Sequence, residues 1–174
     1  MSLELHTKRL RLRQLRESDH QSLAQNHADP ELTRFLGGPA TAADSWRWLL
    51  SMLGHWSLRG FGYWALEEKA TGALCGAAGL IRHFDRPETE LGWRVFRAQQ
   101  GRGFATEAGR RIREYAYGVL QLTTLVSYIN PENAASMRVA ERLGARRDGT
   151  IELRNETAVV YRHPSPAEIA GAAA

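Results

Sequence analysis

The segment from Gln100 to Ala108 carries the residue types best suited to chemistry in this sequence. It reads Gln-Gly-Arg-Gly-Phe-Ala-Thr-Glu-Ala and lies between a predicted strand and a predicted helix. At such a junction the first backbone N–H groups of the helix have no intrahelical acceptor and lie at the positive end of the helix dipole. Gly101 and Gly103 lack the Cβ atoms that would keep an anion away, and Arg102 adds a mobile positive charge. The pattern predicts a phosphate-binding loop, with a flexible connection as the alternative.

The loop departs from two common phosphate-binding motifs. No Gly-Lys-Ser/Thr follows it, so it is not a Walker A loop. Thr106 stands where the dinucleotide-binding motif has its third glycine. The loop matches neither motif, so neither of them indicates which anion it binds.

Arginine dominates the charge of the chain. The sequence has 23 Lys and Arg against 19 Asp and Glu, and only Lys8 and Lys69 are lysines. Arginine binds phosphate or carboxylate in a bidentate manner, so an anionic cofactor, nucleic acid, an acidic partner and plain solvated faces all fit this composition. The sequence lacks the aromatic and basic strand pattern of RNA-binding domains and any helix-turn-helix motif, and we predict no nucleic-acid partner.

The 174 residues, 43% of them hydrophobic, fit a single folded domain, for which we predict residues 1–164. Residues 165–174 are rich in Pro and Ala and are expected to fray. No apolar run approaches a membrane span, and the single cysteine, Cys75, cannot form an intramolecular disulfide, so we expect a cytoplasmic protein with no membrane partner. The six histidines show no metal-ligand spacing, and no metal site is predicted.

Periodicity and capping patterns predict a mixed α/β chain: helices first, then an antiparallel meander, then a strand, a helix and a hairpin. Two capping-box patterns, Ser18 with Gln21 and Thr41 with Asp44, predict the first two helices. Asn133 predicts the start of a late helix. The predicted strands cover about 10–14, 63–66, 73–82, 89–96, 122–128, 147–153 and 156–162, with the last two joined around Arg154 and Asn155, and a long helix covers about 105–118.

Several segments in order resemble the GNAT superfamily of acyl-CoA N-acyltransferases, and within it the RimJ/RimL branch of ribosomal-protein N-terminal acetyltransferases. Residues 100–105 match the Gln/Arg-x-x-Gly-x-Gly/Ala loop of the superfamily, and residues 103–108 match the branch in residue type. Residues 130–138 and 141–145 resemble the Asn-x-x-Ser-x-Arg…Glu-x-x-Gly signature of the branch, and residues 7–13 resemble its opening strand. The resemblance covers about residues 3–163. One departure is Ala145-Arg146, where the branch usually has an aromatic residue after Gly144.

The resemblance implies a fold of the α+β type within the α/β class. Its central, mostly antiparallel mixed sheet would have about seven strands, splayed at the cofactor site and flanked by about four helices. It implies acetyl-CoA as the acetyl donor, with the pantetheine arm against Trp93, Arg94 and Val95. The pyrophosphate would be held by the residues of the glycine loop: Gln100, Gly101, Arg102, Gly103, Phe104, Ala105 and Thr106. Asn133 and Arg138 would lie along the distal cofactor, although a plain helix cap and a solvated helix face are their alternatives.

The chemistry implied by the resemblance is direct attack of a primary amine on the thioester, with no acyl-enzyme. Ser136 would contact the cofactor and protonate the leaving thiolate, and an ordinary first-turn helix serine is the alternative. Glu90 would collect a proton from the amine through water. Glu88 and Asp85 are rivals for that role, and an exposed strand carboxylate is the plain alternative.

The acceptor and the assembly are left open by the sequence. The acceptor would be a protein N-terminus, ribosomal proteins included, or a small-molecule amine, and the protein would be a monomer or a homodimer. Trp46, Trp48 and Trp56 either line the acceptor pocket or belong to the core. The alternative function is a non-catalytic acyl-CoA-binding or regulatory module on the same fold.

Overall fold

One mixed sheet of eight strands runs through the part of the chain that the structure describes. A computed structural model describes residues 3–153 and 156–172, and the strand order is β1-β2-β3-β4-β5-β6-β8-β7. Neighbouring strands are antiparallel except β5 and β6, which are parallel. The strands are β1 (Leu5–His6), β2 (Leu10–Gln14), β3 (Tyr63–Glu68), β4 (Leu74–Ile81), β5 (Glu90–Val95), β6 (Val126–Ile129), β7 (Arg146–Leu153) and β8 (Glu156–Arg162). The predicted mixed sheet is confirmed, with eight strands instead of about seven because the two residues of β1 are too few to show a period.

Six α-helices flank this sheet within the described residues, where about four were predicted. The helices are α1 (His20–His27), α2 (Pro30–Thr33), α3 (Ala42–Arg59), α4 (Phe104–Gly118), α5 (Ala134–Arg142) and α6 (Pro166–Ala172). The additional helices are the single turn α2 and the terminal α6. None of them is both long and apolar enough to cross a membrane.

The terminal segment, which the sequence predicts to fray, contains a short helix within the described residues. Residues 166–172 form α6, and its first turn is held by a reciprocal cap. The carboxylate of Glu168 accepts hydrogen bonds from the Ser165 backbone and hydroxyl, both at 2.8 Å. Pro166 at the first helical position needs no backbone acceptor, which suits a helix start.

The start of α1 differs from the predicted Ser18 and Gln21 capping box. The buried Asp19 carboxylate instead accepts from the Arg16 backbone at 2.9 Å and from both terminal nitrogens of Arg13 at 2.8 Å. A buried carboxylate is stable only when it is paired in this way. The Thr41 and Asp44 box at the start of α3 is present as predicted.

The connection from α4 to β6 is longer than the alternating pattern of residues 122–128 predicted. Gln121 has a φ of 56°, and the Leu122 backbone N–H donates to the Ala116 carbonyl at 3.0 Å. This turn keeps residues 122–125 out of the sheet, so β6 begins only at Val126. The predicted hairpin of β7 and β8 is confirmed by their pairing, while its tip at Arg154 and Asn155 lies outside the described residues.

The two faces of the sheet bury separate cores. One face packs against the apolar stripe of α4, which includes Phe104, Ala108 and Ile112. The other face packs against α1 and α3 through Leu23, Leu49 and other apolar residues. Because strand side chains alternate between faces, each strand residue is assigned to the α4 side or to the α1/α3 side.

Gly79→Ala should lower the free energy of unfolding by about 1–3 kcal/mol, the usual cost of overpacking. A Cβ at this position of β4 would lie 2.3 Å from the Gly62 carbonyl oxygen and 2.4 Å from the Tyr63 Cα, and both are backbone atoms. Gly54→Ala in α3 is the matched control, because its Cβ would meet nothing within 4 Å. The control should be neutral or stabilising by up to about 1 kcal/mol. Urea unfolding measures both, and equal stabilities of the two variants would contradict the prediction.

Candidate functional site

Strands β5 and β6 separate almost as soon as they meet. In the described residues their only register pair is Glu90 with Val126. Beyond that point β5 pairs with β4 alone, and β6 pairs with β8. The backbone of β5 from Gly92 to Val95 therefore has one edge that faces a gap in the sheet and pairs with no strand formed by residues 3–153 and 156–172.

A buried polar pair fixes the point where this gap begins. The Ser127 hydroxyl donates to the Leu91 carbonyl at 2.6 Å and lies 3.0 Å from His163 Nε2. Because the hydroxyl has only one proton, His163 Nε2 must carry the proton of that second contact. Burial lowers the pKa of His163 to about 3, so the ring is neutral. The pair ties β6 to β5 one residue beyond their last register pair.

The glycine loop follows the unpaired end of β5 and opens α4. Gly101 and Gly103 have φ values of 75° and 80°, which side chains rarely adopt. Gly103 is the N-cap of α4 and has no side-chain cap, and the backbone hydrogen bond from Glu107 to Gly103 measures 3.0 Å. Gln100 Nε2 donates to the Val95 carbonyl at 3.1 Å and anchors the loop to β5. The first N–H groups of α4 are thus available to an anion.

The arginine in this loop is held in place, which corrects the sequence-based view of a mobile charge. The Arg102 guanidinium donates to Gln99 and Glu68 and lies 4.5 Å from the centre of the Phe104 ring. Arg9 donates to the Arg102 carbonyl at 2.8 Å and lies 4.8 Å from the same ring centre. The Phe104 side chain is buried in the α4 core, so only its backbone is available to a ligand.

A basic groove of about 640 Å³ lies beside the loop, along the outer surface of α4. Its lining includes Gly103, Thr106 and five Lys or Arg side chains, namely Lys8, Arg9, Arg110, Arg111 and Arg142. Its two carboxylates are Glu107, which pairs with Arg9, and Glu114, which lies 3.6 Å from Arg111. The buried Thr106 hydroxyl has no hydrogen-bond partner in the described part of the chain. The surplus of cations makes the groove suitable for an anion.

A second group of polar side chains lies on the α1/α3 side of β5. Glu90, Gly92 and Arg94 alternate along that face, and the register places Tyr63 of β3 and Tyr128 of β6 on it too. The Tyr63 hydroxyl lies over Gly92, 2.0 Å from where a Cβ would be. Gly92 thus leaves the space that this hydroxyl occupies.

The two tyrosines are functional candidates that the sequence reasoning missed. Burial is the largest cause that raises the pKa of both phenols, and Glu90 adds to the rise. The Tyr128 hydroxyl is buried and has no hydrogen-bond partner among residues 3–153 and 156–172. Strand alternation by itself places Tyr128 on the same face as Val126. The pairing of Val126 with Glu90, which only the structure shows, then brings Tyr128 to the face of Glu90.

The structure separates the three carboxylates that compete for the role of base. Glu90 is half-buried and accepts a hydrogen bond from the Arg86 guanidinium. Glu88 accepts two hydrogen bonds from Arg162, at 2.6 and 2.9 Å, which lower the pKa of its carboxyl. Asp85 is exposed. Of the three, Glu90 is the one that shares a face with Gly92 and Arg94.

The predicted residues of α5 are placed as follows. Asn133 is the N-cap, and its side-chain oxygen accepts from the Ser136 backbone at 3.0 Å, so the predicted cap is confirmed. Ser136 is half-buried and Arg138 is exposed. Neither the Ser136 hydroxyl nor the Arg138 side chain has a hydrogen-bond or ion-pair partner in the described ranges.

The tryptophans of α3 divide between core and site. Trp56 is buried, and its indole lies 4.8 Å from that of Trp64. Trp46 is partly buried against the α1/α3 core. Trp48 is also partly buried and lies beneath the Arg94 guanidinium at 5.1 Å.

Two further residue classes offer no chemistry in the described ranges. No group of three or more His, Cys, Asp or Glu side chains there is arranged to hold a metal ion. Cys75 is fully buried, and burial raises the pKa of its thiol, which disfavours the reactive thiolate.

The chain is similar to known acetyltransferases in sequence and in fold. Residues 9–146 match the family model described as the acetyltransferase (GNAT) domain. A solved acetyltransferase from Agrobacterium tumefaciens is 34% identical, with a TM-score of 0.85 over 94% of this chain and 95% of that one. The Bacillus subtilis protein YkkB is 29% identical in an alignment 170 residues long that covers 93% of this chain and 96% of that protein. The ribosomal-protein-S5-alanine acetyltransferase from Vibrio fischeri, with 16% identity and a TM-score of 0.75 over 95% of this chain and 98% of that one, is similar in fold alone.

A buried histidine beside this site predicts a pH dependence of stability. His27 Nδ1 lies 2.9 Å from the Ser45 hydroxyl, and burial lowers the pKa of His27 from 6.5 to about 4. As the pH falls below 6.5 the unfolded chain binds this proton first, so the free energy of unfolding must fall. The slope for one such group is at most about 1.4 kcal/mol per pH unit.

His27→Gln should therefore reduce the loss of stability between pH 7 and pH 5, measured by urea unfolding at several pH values. His163 remains in the variant and keeps its own contribution, because its pKa is lowered as well. Identical pH slopes for the variant and the native chain would contradict the neutral, buried state of His27.

Proposed function

The chain belongs to the GNAT family of acetyltransferases, and from this premise we propose that it transfers the acetyl group of acetyl-CoA directly to a primary amine. The observation that carries the proposal is the gap between β5 and β6, with the glycine loop at the end of the unpaired β5 edge. An extended amide-containing chain suits an unpaired strand edge, and a pyrophosphate suits a helix start. One ligand with both features would place its extended chain along the β5 edge and its pyrophosphate at the start of α4.

The residues present fit such a cosubstrate. The backbone of Trp93, Arg94 and Val95 would bind the pantetheine arm, because it forms the unpaired edge. Residues 100–106 would hold the pyrophosphate, since Gly101 has nothing within 4 Å of its Cβ position. The cations of the basic groove supply further positive charge beside Gly103. We propose that the Asn133 and Arg138 side chains lie along the distal part of acetyl-CoA.

The reaction needs two proton transfers. The amine nitrogen forms a bond to the thioester carbonyl carbon, the carbon–sulfur bond breaks, the nitrogen loses a proton, and the thiolate gains one. We assign the first transfer to Glu90 through water, because Glu90 is the one of the three carboxylates that shares a face of β5 with Gly92 and Arg94. We assign the second to Ser136, whose half-buried hydroxyl has no partner among the described residues.

The acceptor side of the site is the α1/α3 side of β5. We propose that the acceptor is a protein N-terminus or a small-molecule amine, and that the protein belongs to the RimJ/RimL-like branch. The buried Cys75 thiol suits a reducing cytoplasm. A non-catalytic acyl-CoA-binding module on the same fold is the competing function.

The function is tested by incubating the protein with acetyl-CoA and a mixed set of amines and following the release of free thiol. N-terminal peptides, polyamines and aminoglycosides should all be in the set. Amine-dependent thiol release supports a transferase. Tight binding of acetyl-CoA without any amine-dependent release would support the binding module instead.

Gly103→Asp should abolish the rise in melting temperature that acetyl-CoA causes in the native chain. A ligand that binds only the folded state stabilises that state by about 2.7 kcal/mol when its concentration is a hundredfold above Kd. An aspartate at this N-cap would place a carboxylate where a phosphate approaches the start of α4. Gly118→Asp at the opposite end of α4 is the control and should keep the full shift. A normal shift in folded Gly103→Asp would refute the loop assignment.

Ser136→Ala should lower kcat by about 10-fold or more, because general acid catalysis contributes about 10²–10⁴-fold and water can replace part of it. Affinity for acetyl-CoA should stay within a few-fold. Single-turnover rates are needed beside kcat, because slow product release would hide the effect.

Ser57→Ala, an exposed serine of α3, is the control for this experiment and should be unchanged. A native single-turnover rate in Ser136→Ala would remove Ser136 from the mechanism. The Tyr128 hydroxyl, buried and without a partner in the described residues, would then be the next donor to test by Tyr128→Phe.

A further inference from the structure

Arg94 differs from every other sheltered arginine that the structure describes. Eight arginines are buried or half-buried: Arg11, Arg13, Arg82, Arg86, Arg94, Arg111, Arg113 and Arg162. Seven of them have a hydrogen bond or an ion pair through the guanidinium. The Arg94 guanidinium has neither within residues 3–153 and 156–172. Burial lowers the pKa of Arg94, and the solvation energy lost by its guanidinium is offset by no carboxylate among the described residues.

The surroundings of Arg94 hold its side chain in one place without neutralising it. Its guanidinium carbon lies 5.1 Å from the centre of the Trp48 ring. That ring meets His27 edge-on at 5.0 Å and Tyr63 edge-on at 6.1 Å. Aromatic rings attract a cation but leave the edge of the guanidinium, with its N–H donors, available.

Arg94 also lies on the reactive side of the proposed site. Glu90, Gly92 and Arg94 share one face of β5 at a two-residue period, opposite to the face that packs against α4. Its side chain is therefore separated by the sheet from the basic groove on α4. The group that pairs with Arg94 should belong to the acceptor and not to the phosphates of the cosubstrate.

The charge of the cluster limits the chemistry of that group. His27 is neutral at physiological pH because burial holds its pKa near 4, and Arg86 is already paired with Glu90. Arg94 thus offers one unneutralised positive charge with a planar pair of donors. A carboxylate matches both the charge and the fork geometry, whereas a phosphate dianion would leave a negative charge uncompensated.

We propose that Arg94 binds a carboxylate of the acceptor, and that the acceptor is a small amine bearing a carboxylate, of which free amino acids are the simplest class. This inference rests on the proposed acetyl transfer and narrows its substrate. The amine would lie toward Glu90 and the carboxylate toward Arg94, on the same face of β5. Arg94 would then be a specificity-determining residue through its side chain, in addition to the role of its backbone along the β5 edge.

The test compares acceptors that differ only in the carboxylate. Glycine, leucine, phenylalanine, methionine and glutamate are assayed against their amides and the amines formed by decarboxylation, with N-terminal peptides as a further group. We expect amino acids to have the highest kcat/KM. Arg94→Gln should raise their KM by about 10- to 150-fold, the factor for a lost charged hydrogen bond. The KM for acetyl-CoA should not change, and the preference for acids over amides should disappear.

A second measurement does not depend on turnover. N-acetyl amino acids and their N-acetyl amides are titrated by calorimetry into the protein in the presence of CoA. The native chain should prefer the acids, Arg94→Gln should not, and Arg59→Gln should behave like the native chain. Arg59 is an exposed arginine at the end of α3 and is the matched control.

The outcomes separate this inference from the proposed function. Carboxylate-dependent binding without any turnover would support the carboxylate site at Arg94, but it would refute acetyl transfer and with it the assignment of the bound amine as an acceptor. Turnover of amides, decarboxylated amines or peptides as fast as of amino acids would overturn the inference while supporting acetyl transfer. Equal binding of acids and amides with no turnover would overturn both.

Discussion

The fold depends on a single constraint, the parallel contact of β5 and β6 that ends after one pair of residues. Glu90 and Val126 form that pair, and the Ser127 hydroxyl on the Leu91 carbonyl ties the strands at the next residue. A continued ladder would satisfy the edge of β5 and close the sheet. Because the ladder stops, β5 has a backbone edge that faces a gap and pairs with no strand in the part of the chain that the structure describes. The proposed acetyl-CoA arm lies along that edge, and the proposed acceptor lies on the α1/α3 face of the same strand.

The sheet also separates two groups of cationic side chains that suit different anions. On the α4 side the glycine loop and the basic groove provide helix N–H groups and several cations, an arrangement suited to a polyanion. On the α1/α3 side the Arg94 guanidinium lies over the Trp48 ring and has no hydrogen bond or ion pair among the described residues, which suits a single small anion. Most other sheltered arginines serve the fold, as Arg13 does with Asp19. Within the described residues the arginines are therefore a mixture of side chains paired with carboxylates, such as Arg13, and side chains without such a pair, such as Arg94.

Much of the fold and the loop could be predicted from the sequence, because the signals are local. The Thr41 and Asp44 cap, the Asn133 cap, the helix after the loop and the final hairpin depend on neighbouring residues and were recovered. The local pattern does not predict the structure correctly where a side chain or a turn interacts with residues farther along the chain. Asp19 replaces the predicted cap because Arg13 pairs with it, and β6 is short because of the turn at Gln121.

What the sequence by itself determined is the class of the fold, the glycine loop at a helix start and the family resemblance, all of which follow from residue type and spacing. Only the tertiary structure decided which side chains share a face. It placed Tyr63 and Tyr128 beside Glu90, engaged Glu88 with Arg162, assigned Trp56 to the core and left Arg94 against Trp48 without a carboxylate. The physical reason is that a cation's partner is set by distances between atoms far apart in the chain. Strand register and helix packing fix those distances, and local sequence does not encode them.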